Sequence, residues 1–256
     1  MTALIRQVNF DLLIFRRNPA ATFFTIILPI IFLLIFTSLF GNDEIGPNNV
    51  RAATFYVPGI LALAIISATA VNLAITMTTR RERGVLKRVR GTPIPARTFV
   101  ASQALAGFVL SAIMTVLIII IGRVLFDVSL IIDGIPSLII TILIGAASFA
   151  AMGLALTSII PSEDAAPAVT NAIFLPLYFI SDVFIPPGAS SGGEDSFLSR
   201  VADFFPVKHL ANALQDSFDP FIEGTPFPWE NWVVIAIWGA VGAVVTLTSF
   251  RWTPKR

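Results

Sequence analysis

The stretch AATFFTIILPIIFLLIFTSLF, residues 20–40, runs for 21 residues without a charged side chain. A helix needs about 20 consecutive apolar residues to cross the hydrocarbon core of a bilayer, so this stretch predicts a transmembrane helix. Similar apolar runs predict further spans at about 55–79, 99–121, 135–160, 165–185 and 229–250. The sequence therefore predicts an all-α integral membrane protein, folded as a six-helix transmembrane bundle.

The composition supports a membrane protein over a soluble one. Hydrophobic residues make up 55% of the chain and charged residues 13%, and the mean hydropathy is +0.84. Soluble domains carry about 25% charged residues. After six spans, 256 residues leave little chain for a separate soluble catalytic domain, so residues 1–256 are expected to form a single transmembrane domain. Because the chain contains no cysteine, disulfides and thiolate sites are excluded.

The N-terminal segment predicts an amphipathic helix at residues 3–17. Its apolar side chains recur at helical spacing; these are Leu4, Ile5, Val8, Leu12 and Phe15. Asp11 and the basic residues fall largely on the other faces. Such a helix is expected to lie along the membrane surface. Asn18 and Pro19 then provide an N-cap and a first-turn proline for the first span.

The distribution of basic residues predicts the orientation. Thirteen of the seventeen Lys and Arg residues fall before the first span, in 80–98 or after the last span. Loops rich in Lys and Arg face the cytosol, so both termini and the loop 80–98 are expected to be cytosolic. The long loop 186–228 is then extracellular, with a short helix expected at about 196–218.

The loop 80–98 reads RRERGVLKRVRGTPIPART and has two interpretations. It is either a topology signal that also attracts anionic lipid, or a docking element for another protein. Docking is favoured because a short helix over 80–90 would cluster Val85, Leu86 and Val89 into an apolar knob on a basic surface. The segment following residue 90 contains Gly91, Pro93 and Pro95, which would stop this helix.

This loop resembles the permease subunits of type-2 ATP-binding-cassette transporters. Members have a Glu-Arg pair, a Gly, a hydrophobic pair with further charge, and a Thr-Pro or Ser-Pro exit between the second and third spans. The matching residues here are Glu82, Arg83, Gly84, Leu86, Lys87, Arg90, Thr92 and Pro93. The interfacial helix, six spans and long last outer loop also follow the family layout. Weaker similarities to the family are found at 175–187, LPLYFISDVFIPP, and at 205–215, FPVKHLANALQ. The chain differs from the family at position 182, where it has Asp and many members have Gly.

The resemblance implies that residues 80–93 form a coupling helix seated on a cytosolic ATPase. It also implies two permease copies, identical or paralogous, with two ATPases that hold ATP and Mg, in a prokaryotic plasma membrane. The exported substrate is expected to be an amphipathic drug, lipid or metabolite. The sequence itself also indicates that the ATPase is a separate chain. A nucleotide-binding Walker loop needs Gly directly before Lys, but the three lysines of this chain, Lys87, Lys208 and Lys255, follow Leu, Val and Pro.

Polar residues within the spans are candidates for a substrate path. Asn72 and Thr76 lie four residues apart on one helical face, Asn171 lies in the fifth span, and Asp182 lies near its outer end. Hydrogen bonding between helices is the favoured explanation for the first three, with a substrate path as the alternative, and a solvated carboxylate is favoured for Asp182.

The alternative function is a non-transporting membrane protein, either an assembly factor or a lipid-modifying enzyme, whose basic loop binds anionic lipid. His209 is the only histidine, and it has no ligand-spaced carboxylate cluster or nucleophile partner in the sequence. We therefore expect no metal site, no bound cofactor and no catalytic residue in this chain. Nucleic acid is not an expected partner, because the basic patch is short and fixed at the membrane.

Overall fold

The structure is a computed structural model, and it describes residues 2–40, 44–45, 50–91, 95–128, 132–181, 183–184, 197–219, 221–222 and 224–250. The chain begins with helix α1, Thr2–Arg16. Helix α2 follows as Pro19–Thr22, a π-helical turn Phe23–Ile27 and Leu28–Phe40. Asn18 caps it as expected, since its side-chain oxygen accepts from the Ala21 amide at 3.2 Å.

A short antiparallel pair of strands precedes the next helix. Strand β1 is Glu44–Ile45 and strand β2 is Val50–Arg51. Helix α3 then runs through Ala52–Ile66, a π-helical turn Ser67–Val71 and Asn72–Glu82. Helix α4 is Val85–Arg90, and helix α5 is Ala96–Phe126.

The second half of the chain continues with five helices. A 3₁₀ turn, Ile132–Gly134, leads into α6, Ile135–Leu156, and α7 is Ala165–Ile180. Two shorter helices follow, α8 at Phe197–Phe204 and α9 at Pro206–Asp216. The last helix, α10, is Trp229–Ser249.

Five of these helices are long and apolar enough to cross a membrane. They are Pro19–Leu39, Ala53–Glu82, Thr98–Phe126, Ile132–Leu156 and Trp229–Ser249. The predicted spans at these five places are confirmed as helices, although α5 continues past residue 121 and α6 ends at Leu156 rather than at residue 160. Helix α7 is apolar but has only 16 residues, about 24 Å at 1.5 Å per residue. A sixth crossing at 165–185 therefore stays a prediction.

Helix α3 forms the centre of the bundle. It is buried along most of its length and packs against α2, α5, α6 and α9. Small residues allow the closest approaches: a Cβ on Gly153 of α6 would lie 2.5 Å from the Ala70 carbonyl oxygen in the π turn of α3. Helix α10 packs along α6 in the same way, because a Cβ on Gly242 would lie 2.8 Å from the Met152 amide nitrogen. These distances leave no room for larger side chains, so backbone contact sets the spacing of the helices.

The segment between α7 and α10 returns to the bundle. The single helix expected at 196–218 is wrong in detail, since the structure has two helices that meet at Phe205 and Pro206. Phe205 is extended, at φ −96° and ψ 145°, because a residue before proline is disfavoured in the helical region. Helix α9 buries Val207, Leu210 and Leu214 against α3, α6 and α10. It thereby closes the end of the bundle opposite to α4.

Candidate functional site

The segment after α3 is two helices separated by a sharp turn, not the single short helix over 80–90 that the sequence predicts. Gly84 adopts φ 68° and ψ 13°, in the left-handed region, and α4 begins at the next residue. A side chain at residue 84 would meet no atom within 4 Å, so the backbone angle and not space favours glycine there. The predicted end of α4 before Gly91 is confirmed.

The apolar side chains of α4 face their own bundle. Leu86 is 0% exposed and packs in a cluster with Leu73, Met77 and Phe99. Val89 lies against the same cluster and is half-buried, as is Val85. The expected apolar knob for a partner's groove is therefore wrong for Leu86, because its contacts are already made within the chain.

The outward surface of α4 is basic. Lys87 and Arg88 are exposed, and the Arg88 guanidinium lies 3.5 Å from the Arg83 carbonyl oxygen. The side chain of Arg90 and the residues Thr92 and Pro93 lie outside the described part of the chain, so the structure says nothing of their predicted coupling role. Among the described side chains of α4, Lys87 and Arg88 are the exposed charged groups that a partner can reach.

A buried arginine attaches this segment to α6. Arg81 is 1% exposed, and its guanidinium donates to the carbonyl oxygens of Thr157 at 2.6 Å and Ile160 at 2.9 Å. Its Nε lies 2.7 Å from a carboxylate oxygen of Glu82, which balances the charge. The carbonyls belong to the turn that follows α6, where a positive charge interacts favourably with the helix dipole. Glu82 thus has a structural role that the sequence analysis did not predict.

A second arginine attaches the segment to the turn before α7. The Arg83 guanidinium forms a two-point ion pair with Glu163, with Nη2 to Oε1 at 2.5 Å and Nε to Oε2 at 3.1 Å. This hydrogen bond, together with the negative charge of Glu163, raises the pKa of the Arg83 guanidinium above its usual value. Arg83 is well exposed, so the pair orients the segment more than it stabilises the fold.

A third arginine holds the N-terminal helix. Arg80 Nη2 lies 2.8 Å from Asp11 Oδ1, and the Arg80 guanidinium lies 5.6 Å from the Phe99 ring centre. The other oxygen of Asp11 accepts hydrogen bonds from Ser102, at 3.2 Å, and from Gln103. Asp11 is buried, so the expectation that it lies away from the packed face of α1 is wrong. Its spacing from Val8 and Phe15, three and four residues away, is the signal that places all three on one face.

Two of the four substrate-path candidates, Asn72 and Thr76, lie together. Thr76 Oγ1 donates to Asn72 Oδ1 at 3.4 Å, and both line a small cavity between α1, α3 and α5. Asn171 is exposed on α7, where its amide makes no hydrogen bond to any described residue. Asp182 lies outside the described residues.

Comparison with known proteins gives the family. The sequence profile of the ABC-2 type transporter family matches residues 4–218. The chain is 25% identical over 248 residues to the daunorubicin resistance ABC transporter permease protein DrrB1 of Streptomyces coeruleorubidus, covering 93% of this chain and 81% of that protein. It is 22% identical over 240 residues to the putative transport permease YvfS of Bacillus subtilis (strain 168), covering 92% and 91%. The chain therefore belongs to the ABC-2 type transporter family, as a multi-pass membrane permease subunit of an ABC transporter.

Proposed function

We propose that this permease works as a dimer with two cytosolic ATPase subunits and exports an amphipathic small molecule across a prokaryotic plasma membrane. ATP and Mg would bind to the ATPase subunits, while this chain provides the route and the docking surface. The observation that carries the proposal is the basic surface of α4. The contacts of Arg80, Arg81 and Arg83 attach the segment before α4 to the rest of the bundle. Residues 80–93 also resemble the family's coupling segment in the sequence.

The orientation follows from charge. Helix α4 directly follows the end of α3, where Arg81 binds the turn after α6 and Arg80 pairs with Asp11 of α1. Arg16 and Arg17, at the end of α1, are exposed basic residues as well. Positively charged loops favour the cytosolic side. This end would therefore face the cytosol, with both termini, and α8 and α9 would lie at the outer face.

The arginine contacts suggest how movement of α4 would reach the rest of the bundle. Arg81 binds the turn after α6, and Arg83 binds Glu163 just before α7. A displacement of α4 by a closing ATPase would therefore act on the turn between these helices as well as on α3. Because α7 begins at Ala165, two residues after Glu163, α7 would receive that displacement directly.

The outer surface of α7 supports a second permease copy. Asn171, Leu175 and Phe179 are exposed and lie four residues apart along one face. An amide facing lipid leaves its hydrogen bonds unmade, whereas a partner helix can supply them. In a symmetric dimer the same face meets itself, so Asn171 would pair with Asn171 of an identical copy or with a polar residue of a paralogue. The family resemblance implies that α2 lies beside α7 at this centre.

The substrate class is proposed from the composition and one relative. The bundle surface is apolar, and the name of the Streptomyces relative includes daunorubicin resistance. Both agree with outward transport of an amphipathic organic molecule.

Affinity purification of the tagged chain in mild detergent tests the proposal. A nucleotide-binding protein should copurify with the wild type, and it should be lost from a Lys87→Glu, Arg88→Glu double variant. Arg200→Glu is the matched control, because Arg200 is an exposed arginine on α8 at the other end of the bundle. Leu86 is unsuitable as a target because a charge at this buried position would disturb the fold.

Recovery of the ATPase with the control but not with the double variant would establish α4 as the docking surface. If no ATPase is recovered with the wild type, and anionic vesicles bind it through the same two residues, the lipid-binding alternative replaces the transporter proposal.

A further inference from the structure

A small polar cavity lies where α1, α3 and α5 meet. Its volume of about 40 Å³ would hold roughly three water molecules. Its polar lining includes Asp11, Asn18, Asn72, Thr76, Arg80 and Gln103. Ala68 and Thr69 of the π turn in α3 also line it, and π turns inside helices occur frequently at functional sites.

The charges around the cavity cancel. Asp11 and Arg80 form an ion pair at 2.8 Å, and the second Asp11 oxygen is occupied by Ser102 and Gln103. The hydrogen-bonding capacity that is left lies on Asn72, on Thr76 and on the other N–H groups of Arg80, whose charge Asp11 already balances. The hydrogen bond between Thr76 and Asn72 is long, at 3.4 Å, and an Asn side chain offers two donors and an acceptor. A neutral polar group therefore suits this cavity better than an ammonium or a phosphate.

The rest of the lining is apolar and partly exposed. Phe15 and Leu110 form the inner wall, and Ile14 at the rim is 37% exposed. Phe10 and Leu13, also on α1, extend this exposed apolar surface. A molecule with its polar group in the cavity would thus rest its apolar body against α1, on the side that faces lipid.

We propose that this cavity binds the uncharged, hydroxylated head group of an amphiphile that enters from the inner leaflet. Hydroxyl groups both donate and accept hydrogen bonds, as the waters that fit this space do. The inference rests on the proposed function for its orientation and for any link to transport. A resident membrane lipid and the transported molecule share this chemistry.

Thiol labelling in phosphatidylcholine nanodiscs tests the site, because the natural chain has no cysteine. Thr76→Cys places one thiol in the cavity. Thr79→Cys is the matched control, since Thr79 is a half-buried threonine one turn further along α3 and does not line the cavity. Both variants are labelled with a water-soluble methanethiosulfonate in the purified complex, with monoolein or oleylamine present or absent.

Monoolein should slow the labelling of Thr76→Cys at least fivefold and leave Thr79→Cys unchanged, while oleylamine should protect neither. Equal protection by oleylamine, protection of both thiols, or no protection would overturn the proposal. Adding Asn72→Leu to Thr76→Cys removes one amide and fills part of the cavity, so protection should disappear while the ATPase still copurifies. Persistent protection in this double variant would also contradict the site.

The addition of ATP distinguishes the two possible occupants of the cavity, a resident membrane lipid and a transported molecule. If turnover relieves the protection, the occupant is a transported molecule; if protection persists, it is a resident lipid, and either result supports the site. Protection is measured before ATP is added. Failure to recover an ATPase would therefore refute the proposed function and leave the binding result standing.

Discussion

Replacing the buried Arg81 with leucine should destabilise the protein strongly. The substitution leaves the carbonyl oxygens of Thr157 and Ile160 without their donors and Glu82 without its counter-charge. Removing one partner of a buried ion pair costs about 3–5 kcal/mol. For a chain of this size that corresponds to a fall in the midpoint of unfolding of about 6–20 °C.

Thermal unfolding of the detergent-purified protein, followed by size-exclusion chromatography of a fluorescent fusion, measures this fall. Arg83→Leu is the matched control, because the same residue type lies two positions away in an exposed pair, and its midpoint should stay close to that of the wild type. Arg81→Leu with Glu82→Gln should recover part of the loss, since no unpaired carboxylate remains. Equal midpoints for Arg81→Leu and Arg83→Leu would refute the role of Arg81 as a buried clamp.

Three further predictions concern other parts of the chain. Arg83→Glu should reduce substrate export while ATP hydrolysis by the complex continues. The double variant Arg83→Glu, Glu163→Arg should restore export, because the ion pair is re-formed with its charges exchanged. If the double variant does not restore export, the pair does not transmit movement. Asn171→Cys, in a chain that otherwise lacks cysteine, should form an oxidised dimer visible on a non-reducing gel, and a monomer under the same oxidation would argue against α7 at a symmetric interface. Burial, and then the charge of Asp219, raise the pKa of the Asp216 carboxyl. A raised carboxyl pKa contributes stability below its unfolded value, about 4, and this is lost as the pH rises through the folded value. Thermal midpoints of Asp216→Asn should therefore vary less with pH than those of the wild type between pH 4 and 7, and parallel curves would contradict this.

Much of the fold was predictable because crossing a bilayer requires long apolar helices. The spans at 20–40 and 229–250 coincide with observed helices to within one residue at each end, since charge and proline mark their limits. The ends of the other spans were less predictable. Helix α5 continues past Gly122 and Arg123 to Phe126, because neither residue alone stops a helix that packs against the bundle.

The coupling segment was recognisable from its residues, but the direction of each side chain was not. The spacing of apolar residues predicted that Leu86 belongs to an apolar cluster on α4. Spacing alone does not determine whether such a cluster packs against the same chain or against a partner. Leu73, Met77 and Phe99 come from two other helices, and their arrival at Leu86 depends on how those helices pack.

The sequence alone determined the membrane class, five helices long and apolar enough to cross a membrane, the position of the basic segment and its family resemblance, because apolar length, charge and local motifs act along the chain. Only the tertiary structure decided which charges are buried and paired. Asp11 and Arg80 are 69 residues apart, and Arg81 lies 76 residues from Thr157. These contacts form because packed helices bring distant residues together in the buried interior, where a charge needs a partner.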